Sequence, residues 1–293
     1  MFYKVVNKLE TEAHVNLTNA LVVLNVSESR RLLAKATVAC DAVQSAWKQG
    51  NIIIGRGITS AFVTEELLGV TIEPKAAQTV GFVGSGLTNA HLGPPPCTWH
   101  VIRNGKPLED ADSNIEIMSF GPGDIFIKGA NAIDPSGVPG VYVASKKGGT
   151  IGMAWPVVTP RGGEFIMPVS LEKLVPSVLE VASHTGIYHF KYSTGIPIKL
   201  IPVPLAKVIT EIEAFAILAG VKAYHIGSGG IAGSEGSVHL SLEAPEEQIL
   251  KALEIVKSIK GEPPIGPPNV VAISSAADYN YDAQSQLSRL GGI

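Results

Sequence analysis

Residues 51–68 read NIIIGRGITSAFVTEELL and indicate a strand, a glycine turn and a helix in direct succession. The apolar run at 52–54 is typical of a buried strand, and the stretch after the second glycine has the composition of a helix. A turn of this kind presents backbone N–H groups at the start of a helix, where a phosphate or carboxylate is favoured. We therefore predict an anion site formed by Arg56, Gly57, Thr59 and Ser60. A tight connection without a ligand also explains the glycines.

A second run of residues places hydrogen-bond donors behind an apolar stretch. Residues 79–86 (TVGFVGSG) are strand-like and lead into Ser85 and Thr88, which we add to the candidate ligand-binding residues. If this strand is a parallel neighbour of the strand at 52–54, both turns open on the same edge of the sheet.

The stretch DIFIKGANAID at 124–134 combines a buried strand with three polar side chains. Lys128 and Asp134 are candidate catalytic residues, the first to stabilise negative charge and the second to move protons. Asn131 is a candidate for fixing a hydroxyl or carbonyl group of a ligand. The simpler interpretation is a turn that begins at Asp134 and Pro135. The sequence leaves both interpretations open.

The composition excludes several classes of function. The 293 residues have a formal net charge of −3, which gives no support to a nucleic-acid or anionic-membrane partner. No run reaches the roughly 18 apolar residues of a membrane span, and the first residues lack the apolar segment of a signal peptide. Cys40 and Cys97 have no metal-ligand spacing. We expect a cytoplasmic protein without a metal or a cofactor.

Strands that alternate with helices predict an α/β fold with a mostly parallel sheet and flanking helices. An amphipathic helix is predicted at 27–48, with Ser27 as its N-cap. Glu65 and Glu66 are expected on a solvent-facing surface of the helix that follows the glycine turn.

The last third of the chain has a different pattern. Strands are predicted at 198–203, 221–226, 237–242 and 269–273, and helices at 205–219 and 245–259. This β-α-β-β-α-β order is that of a ferredoxin-like α+β unit. We predict an α/β ligand-binding domain at 1–195, the ferredoxin-like unit at 196–276 and a tail at 277–293.

The turn inside this unit, GSGGIAGSEG at 227–236, is longer than a hairpin needs. Its Glu235 is a candidate exposed carboxylate, and a mobile surface loop is the simpler interpretation. Lys146 and Lys147 form another cationic turn flanked by glycines, for which solvated lysines are the default.

These motifs together resemble the superfamily of ribose-5-phosphate isomerase A, glucosamine-6-phosphate deaminase, the sugar-phosphate-sensing domains of DeoR-type regulators and the CoA-transferases. The resemblance rests on the glycine loop at 52–68, the strand and Gly-Ala-Asn turn at 124–134, and IKLIPVP at 198–204. It implies that superfamily's α/β fold and a small phosphorylated or carboxylated ligand. Lys128 and Asn131 stand where the isomerase has aspartates, and its catalytic glutamate is missing, so ribose-phosphate isomerisation is not implied.

Three functions stay open at this point. The first is an enzyme, either with isomerase-like acid/base chemistry or an acyl- or CoA-transferase, that acts on a small anionic metabolite. The second is a binding or sensing protein without catalysis, which the missing aspartates favour. The third is an assembly or regulatory subunit whose glycine loops pack against partners. We expect a homo-oligomer.

Overall fold

The computed structural model describes residues 1–3, 16–91, 98–266 and 281–290. The α-helices of these ranges are α1 (Val26–Ala39), α2 (Asp41–Gln49), α3 (Ile58–Leu68), α4 (Ser113–Glu116), α5 (Gly149–Val158), α6 (Val178–Ser183), α7 (Glu211–Ala219), α8 (Glu246–Ile259) and α9 (Ala283–Ser288). No helix among them combines the length and the apolar character needed to cross a membrane.

The strands of the same ranges form one large sheet and three smaller ones. They are β1 (Leu17–Leu24), β2 (Asn51–Ile54), β3 (Gly81–Gly84), β4 (Leu87–Ala90), β5 (His100–Arg103), β6 (Lys106–Pro107), β7 (Ile125–Ile127), β8 (Ala132–Ile133), β9 (Pro139–Val143), β10 (Glu164–Pro168), β11 (Lys199–Pro202), β12 (Lys207–Ile209), β13 (Lys222–Ser228) and β14 (Val238–Pro245).

The large sheet has six strands in the order β12-β10-β7-β2-β5-β6. The pairs β12–β10, β10–β7 and β7–β2 are parallel, whereas β5 and β6 add an antiparallel edge. Residues 52–54 and Ile125–Ile127 are buried on both faces, as central parallel strands require. The predicted mixed α/β fold with a mostly parallel sheet and flanking helices is confirmed.

The two faces of this sheet pack into separate hydrophobic clusters. Ile52, Ile54 and Ile127 join side chains of α1, α3 and α7 in one cluster. Ile53 and Phe126 point to the other face and pack with side chains of α5. The alternation follows from the period of two in a strand. Because β2, β7, β10 and β12 are parallel, their carboxyl ends lie along one edge of the sheet.

The predicted helix at 27–48 is two helices, so that prediction needs correction. Asn25 caps α1 rather than Ser27: its side chain accepts a hydrogen bond from Glu28 N, and Glu28 Oε2 accepts one from Asn25 N, both at 2.9 Å. This reciprocal pair is a capping box. The backbone is extended at Cys40 (ψ 143°), which ends α1 and begins α2.

The strand predicted at 79–86 does not join the large sheet. β3 and β4 form a hairpin of their own, closed by Ser85 and Gly86 with φ angles of 53° and 75°. Two residues with positive φ give the turn type that matches the twist of two short antiparallel strands. The neighbours of β2 are β5 and β7. We expected the strand at 79–83 to lie parallel to β2, so that the turns after both strands would open on the same edge of the sheet. This expectation is wrong.

β1, β14 and β13 form a separate antiparallel sheet in that order. The predicted antiparallel pairing of 221–226 with 237–242 is present as β13 and β14. The strand predicted at 198–203 corresponds to β11, which pairs with β9 in another sheet. In a ferredoxin-like sheet that strand would lie beside β14, but here β1 pairs with β14 over its full length. The predicted strand at 269–273 lies outside the described residues.

The predicted helix at 205–219 begins only at Glu211. Val208 and Ile209 form β12 instead, because they pair with β10 and are fully buried. Thr210 then caps α7 in a second capping box, with Glu213. Since β1 pairs with β14, residues from both sides of the predicted domain boundary at 195 share one sheet. The boundaries themselves stay a prediction.

Glu65 of α3 is buried rather than solvent-facing, which corrects a further expectation. Its carboxylate accepts a hydrogen bond from Arg31 at 2.7 Å and lies 3.0 Å from the Lys75 ammonium group. Arg31 also binds Glu66 and Glu262. This ion-pair network joins α1 and α3 to the segment after α8.

Candidate functional site

The turn at the carboxyl end of β2 has the backbone arrangement expected of an anion loop. Gly55 N donates to Ile127 O at 2.9 Å, which holds the turn against β7. α3 begins at Ile58 after Gly57, and no described side chain caps its first N–H groups. The Oγ of Ser60 is buried in this first turn and has no hydrogen-bond partner among the described residues. The N–H groups and the helix dipole favour a negative charge at this point.

Lys128 directly follows β7 and reaches the same turn. Its Nζ donates to the carbonyl oxygen of Arg56 at 3.2 Å. Gly129 brings the backbone against α3, since a Cβ placed there lies 3.4 Å from the Cβ of Thr59. Burial, together with the positive charges of Lys173 and Arg56, lowers the pKa of Lys128 from 10.5 to about 8. β2 and β7 thus bring Arg56, Thr59 and Lys128 side by side.

A second lysine, Lys173, lies five residues after the next parallel strand, β10, and the sequence interpretation missed it. The Nζ of Lys173 donates to Ala130 O at 3.0 Å, so it contacts the loop that leaves β7. Burial and the charge of Arg30 lower the pKa of Lys173 to about 8, against the opposite effect of two nearby glutamates. The apolar run at 165–169 could have indicated its position, but Lys173 does not follow that run directly as Lys128 follows its strand.

Four basic side chains interact electrostatically at this edge of the sheet, and we call them the cationic cluster: Arg30, Arg56, Lys128 and Lys173. Two carboxylates accompany them. Glu172 Oε1 lies 3.9 Å from the guanidinium of Arg30. Glu211, at the start of α7, is fully buried and accepts a hydrogen bond from Leu171 N at 2.9 Å. Burial raises the pKa of Glu211, which reduces the negative charge it contributes. Positive charge therefore prevails.

Three of the predicted ligand-binding residues serve other parts of the fold. Ser85 forms the exposed turn of the β3–β4 hairpin. The hydroxyl of Thr88 donates to Ile196 O at 2.6 Å and docks this hairpin on the segment before β11. Asn131 Oδ1 accepts a hydrogen bond from Tyr142 N at 3.0 Å, which fixes the turn before β8 against β9. Their local sequence showed donors but could not show these distant partners.

Asp134, the predicted proton carrier, is buried, and its carboxylate accepts four hydrogen bonds. Its Oδ1 accepts hydrogen bonds from the hydroxyl and the N–H of Ser136, at 2.6 and 3.0 Å, and from Val138 N at 3.1 Å. Its Oδ2 accepts one from Val178 N at the start of α6, at 2.8 Å. Burial by itself raises the pKa of Asp134, but these hydrogen bonds lower it below its usual value. Asp134 thus ties a turn to a helix.

The glycine-rich stretch at 227–236 reaches the surroundings of the cationic cluster. A Cβ placed at Gly236 lies 2.7 Å from Glu172 Oε2 and 2.9 Å from Val26 Cγ2, so the backbone approaches closer than a side chain allows. Glu235 accepts a hydrogen bond from Gly233 N at 2.8 Å and stabilises the loop itself. Lys146 and Lys147 lie in the turn before α5, and both side chains are exposed.

Comparison with known proteins adds no relative to this picture: no protein-family model, no curated protein and no solved structure matches the chain. Within the described ranges, no group of three or more His, Cys, Asp or Glu side chains is arranged to hold a metal ion. The function is therefore argued from the geometry and charge of the site.

Proposed function

We propose that the protein binds a small phosphorylated or carboxylated metabolite at the cationic cluster. One observation carries the proposal: Lys128 and Lys173 lie on the segments that leave two adjacent parallel strands, and burial together with the charge of Lys173 lowers the pKa of Lys128. An ammonium group has three N–H donors, and a loop carbonyl takes one from each lysine. The remaining donors suit the oxygens of an anion.

An anion at this position lowers the free energy of the cluster in two ways. It offsets the repulsion among the positive charges, and it replaces the water that partly buried ammonium groups have lost. Arg56 adds a planar donor pair that matches a carboxylate or phosphate, and the N–H groups at the start of α3 add backbone donors.

A thermal-shift screen tests the proposal, with inorganic phosphate, sugar phosphates, CoA esters and small carboxylates as probes. A ligand present at 100 times its Kd stabilises the fold by about 2.7 kcal/mol. Lys128→Met and Lys173→Met should each weaken binding of the best probe, whereas Lys147→Met, at an exposed lysine outside the cluster, should not. Absence of stabilisation by every class, or the same affinity in all three variants, would overturn the proposal.

Isomerase-like acid/base chemistry at this site would rely on Lys128. Its pKa of about 8 lets the amine exchange a proton near neutral pH. The hydrogen bonds of Asp134 instead favour the second candidate, a binding or sensing protein without catalysis. Measuring turnover of the identified ligand distinguishes an enzyme from a sensor. If the protein is an enzyme, Lys128→Met should lose turnover at saturating ligand. If it is a sensor, the wild type itself should show no turnover.

The superfamily resemblance enters this proposal as support for the ligand class. Two of the three segments that carry the resemblance, 52–68 and 124–134, contain the loops that leave β2 and β7 toward the cationic cluster, whereas the third, 198–204, contains β11. A cytoplasmic location, the absence of nucleic-acid and membrane partners, and a homo-oligomeric state belong to the same proposal. The net charge of −3 supports the exclusion of nucleic acid.

A further inference from the structure

The amine of Lys128 has an environment that disfavours its charged form. Among the residues that the structure describes, no carboxylate lies within ion-pair distance of its Nζ. Two nearby charges, those of Lys173 and Arg56, are both positive. The side chain is only partly exposed, so water screens this repulsion incompletely. The free amine of Lys128 is therefore more populated than that of an ordinary lysine.

The same amine lies against the turn that starts α3. Its Nζ donates to Arg56 O at 3.2 Å. The Oγ of Ser60 lies 3.4 Å from a Cβ placed at Gly57, so it is part of this turn, and it is buried there without a hydrogen-bond partner among the described residues. A small molecule whose anionic group binds at this turn therefore has its neighbouring carbon atoms within reach of Lys128.

A free amine can add to a carbonyl group, which an ammonium ion cannot do. The hydrogen bond to Arg56 O uses one N–H of the amine and leaves its lone pair available. Lys173 is less suited to this role, because its Nζ contacts Ala130 O instead of the turn. Glu172 and Glu211 also favour the ammonium form of Lys173. The geometry therefore selects Lys128 as the nucleophile and leaves Lys173 as a source of positive charge.

We propose that Lys128 forms an imine with a small aldehyde or ketone whose phosphate or carboxylate is bound at the start of α3. This inference rests on the anion site proposed above and adds a carbonyl group to the description of its ligand. The nitrogen of Lys128 bonds to the carbonyl carbon, and the C=O bond breaks. The oxygen leaves as water with both protons of the amine, and a C=N bond remains.

The acidity of Lys128 makes this reaction selective at neutral pH. With a pKa of about 8, roughly one chain in ten carries the free amine at pH 7. An ordinary lysine with a pKa of 10.5 carries it in about one chain in three thousand. A bound anion raises the pKa of a lysine beside it, but Lys173 and Arg56 share the anion's charge and limit this effect. Lys128 should therefore react well ahead of ordinary surface lysines.

Trapping with borohydride tests this inference. The reagent adds a hydride to the imine carbon, the nitrogen takes a proton from water, and the adduct becomes a stable secondary amine. The full chain is incubated with glyceraldehyde 3-phosphate, with pyruvate, or with glyceraldehyde, which carries no anionic group. Mass mapping of peptides should place one adduct per chain on Lys128 with a probe that carries an anion. The yield should exceed that with glyceraldehyde at least about tenfold, because the charge-assisted hydrogen bonds to the anion are missing there.

Two substitutions and a pH series complete the test. Lys128→Arg should lose the adduct, because a guanidinium forms no imine, whereas Lys147→Arg, at an exposed lysine outside the cluster, should keep it. The rate of labelling should rise with pH around a midpoint near 8, as the free amine forms. Circular dichroism reports whether both variants fold, and peptide mapping of the wild type identifies the labelled residue without any substitution.

The outcomes separate this inference from the proposed function. Absence of an adduct on Lys128 with both anionic probes would overturn the imine, as would labelling spread evenly over exposed lysines. Thermal stabilisation by inorganic phosphate is a separate readout, because phosphate has no carbonyl group. If phosphate stabilises the wild type and no adduct forms, the anion site stands and the imine is wrong. If phosphate has no effect and no adduct forms, both are wrong.

Discussion

At the scale of single residues, the charge state of Lys128 and Lys173 sets a pH dependence with a definite sign. Both have a pKa of about 8 in the folded chain, against 10.5 for an ordinary lysine. Below about pH 8 both are charged in the folded and unfolded states, and above it the folded state loses protons first. The free energy of unfolding of the wild type should therefore rise between about pH 8 and 10, relative to a double variant with Met at both positions.

Urea denaturation of the wild type and the double variant across this pH range measures the difference. Affinity for an anion should fall over the same range, because the ammonium charges that bind it are lost. A wild type that loses stability relative to the double variant as pH rises through 8 contradicts the assignment.

Arg56 offers a test of the contact between side chain and anion. Charge-assisted hydrogen bonds contribute about 1.5–3 kcal/mol, so Arg56→Ala should weaken anion binding about ten- to a hundredfold. Arg56→Lys should recover only part of the loss, since a point charge does not reproduce the planar guanidinium. Arg161→Ala is the control, because Arg161 precedes β10 and lies at the amino end of that strand. Calorimetric titration with the best probe measures the affinities. If Arg56→Ala binds the probe as tightly as the wild type, the glycine turn only connects β2 to α3 and does not bind the anion.

Asp134 should behave as a structural residue under mutation. In the wild type, hydrogen-bond donors surround the Asp134 carboxylate. In Asp134→Asn, some of these donors face the NH₂ group of the amide, which cannot accept a hydrogen bond, and the expected loss of stability is about 1–3 kcal/mol. Ser136→Ala, which removes one of the four donors, should cost less. The folded pKa of Asp134 is lowered, so its stabilisation is present above the unfolded value of 3.8 and disappears as pH falls below it. An Asp134→Asn variant with wild-type stability but no turnover would restore the proton-carrier role.

The sequence could place residues that follow the end of a strand, but it could not show hydrogen bonds to partners that are distant in the chain. Lys128 directly follows an apolar run and Arg56 follows one after a single glycine, so their place at the edge of the sheet could be inferred. The roles of Asp134 and Thr88 depend on Val178 and Ile196, which their own neighbourhood does not reveal. Arg30 lies on α1, and no local pattern indicates that this helix approaches the cluster.

At the scale of elements, the docking of the β3–β4 hairpin depends on one glycine. Gly195 has a φ of 94°, and a Cβ placed there lies 2.1 Å from Thr88 O. Gly195→Ala should destabilise the fold by about 2–4 kcal/mol, because both the positive φ and the overlap with backbone atoms oppose a side chain.

Gly69→Ala separates the two effects. Gly69 also has a positive φ, of 67°, but no atom lies within 4 Å of the added Cβ, so only the conformational cost of about 1–2 kcal/mol applies. Urea denaturation gives both values, and hydrogen exchange of the hairpin amides reports whether it detaches. Equal losses in the two variants would show that the hairpin adjusts freely.

How clearly the sequence indicates a strand depends on which faces of that strand are buried. Residues 52–54 and 125–127 are apolar on both faces and bounded by glycine or polar residues, so the pattern is clear. β12 has three residues within an apolar run that has helical composition, and only its pairing with β10 makes it a strand. β1 was not predicted at all, because Leu21 and Val23 point outward and remove the polar alternation that marks a half-buried strand.

At the scale of the whole molecule, the chain should unfold in a single transition. The larger hydrophobic cluster contains side chains from both sides of the predicted boundary, such as Leu32 and Phe62 before it and Phe215 and Leu240 after it. All three tryptophans precede that boundary: Trp47, Trp99 and Trp155. Their fluorescence therefore reports on unfolding of residues 1–195, while far-ultraviolet circular dichroism reports on the entire chain. The two thermal midpoints should coincide. Two separated midpoints would instead support independent domains at 1–195 and 196–276.

The pairing of β1 with β14 also has a consequence during synthesis. Leu24 leaves the ribosome about 200 residues before its partner Val238, a delay of roughly 10–40 s at ordinary translation rates. Throughout this time the apolar side chains of β1 lack the strand that will cover its hydrogen-bonding groups. The nascent chain therefore presents an unpaired, apolar strand edge, which is the kind of segment that chaperones bind and that aggregates when it is left alone.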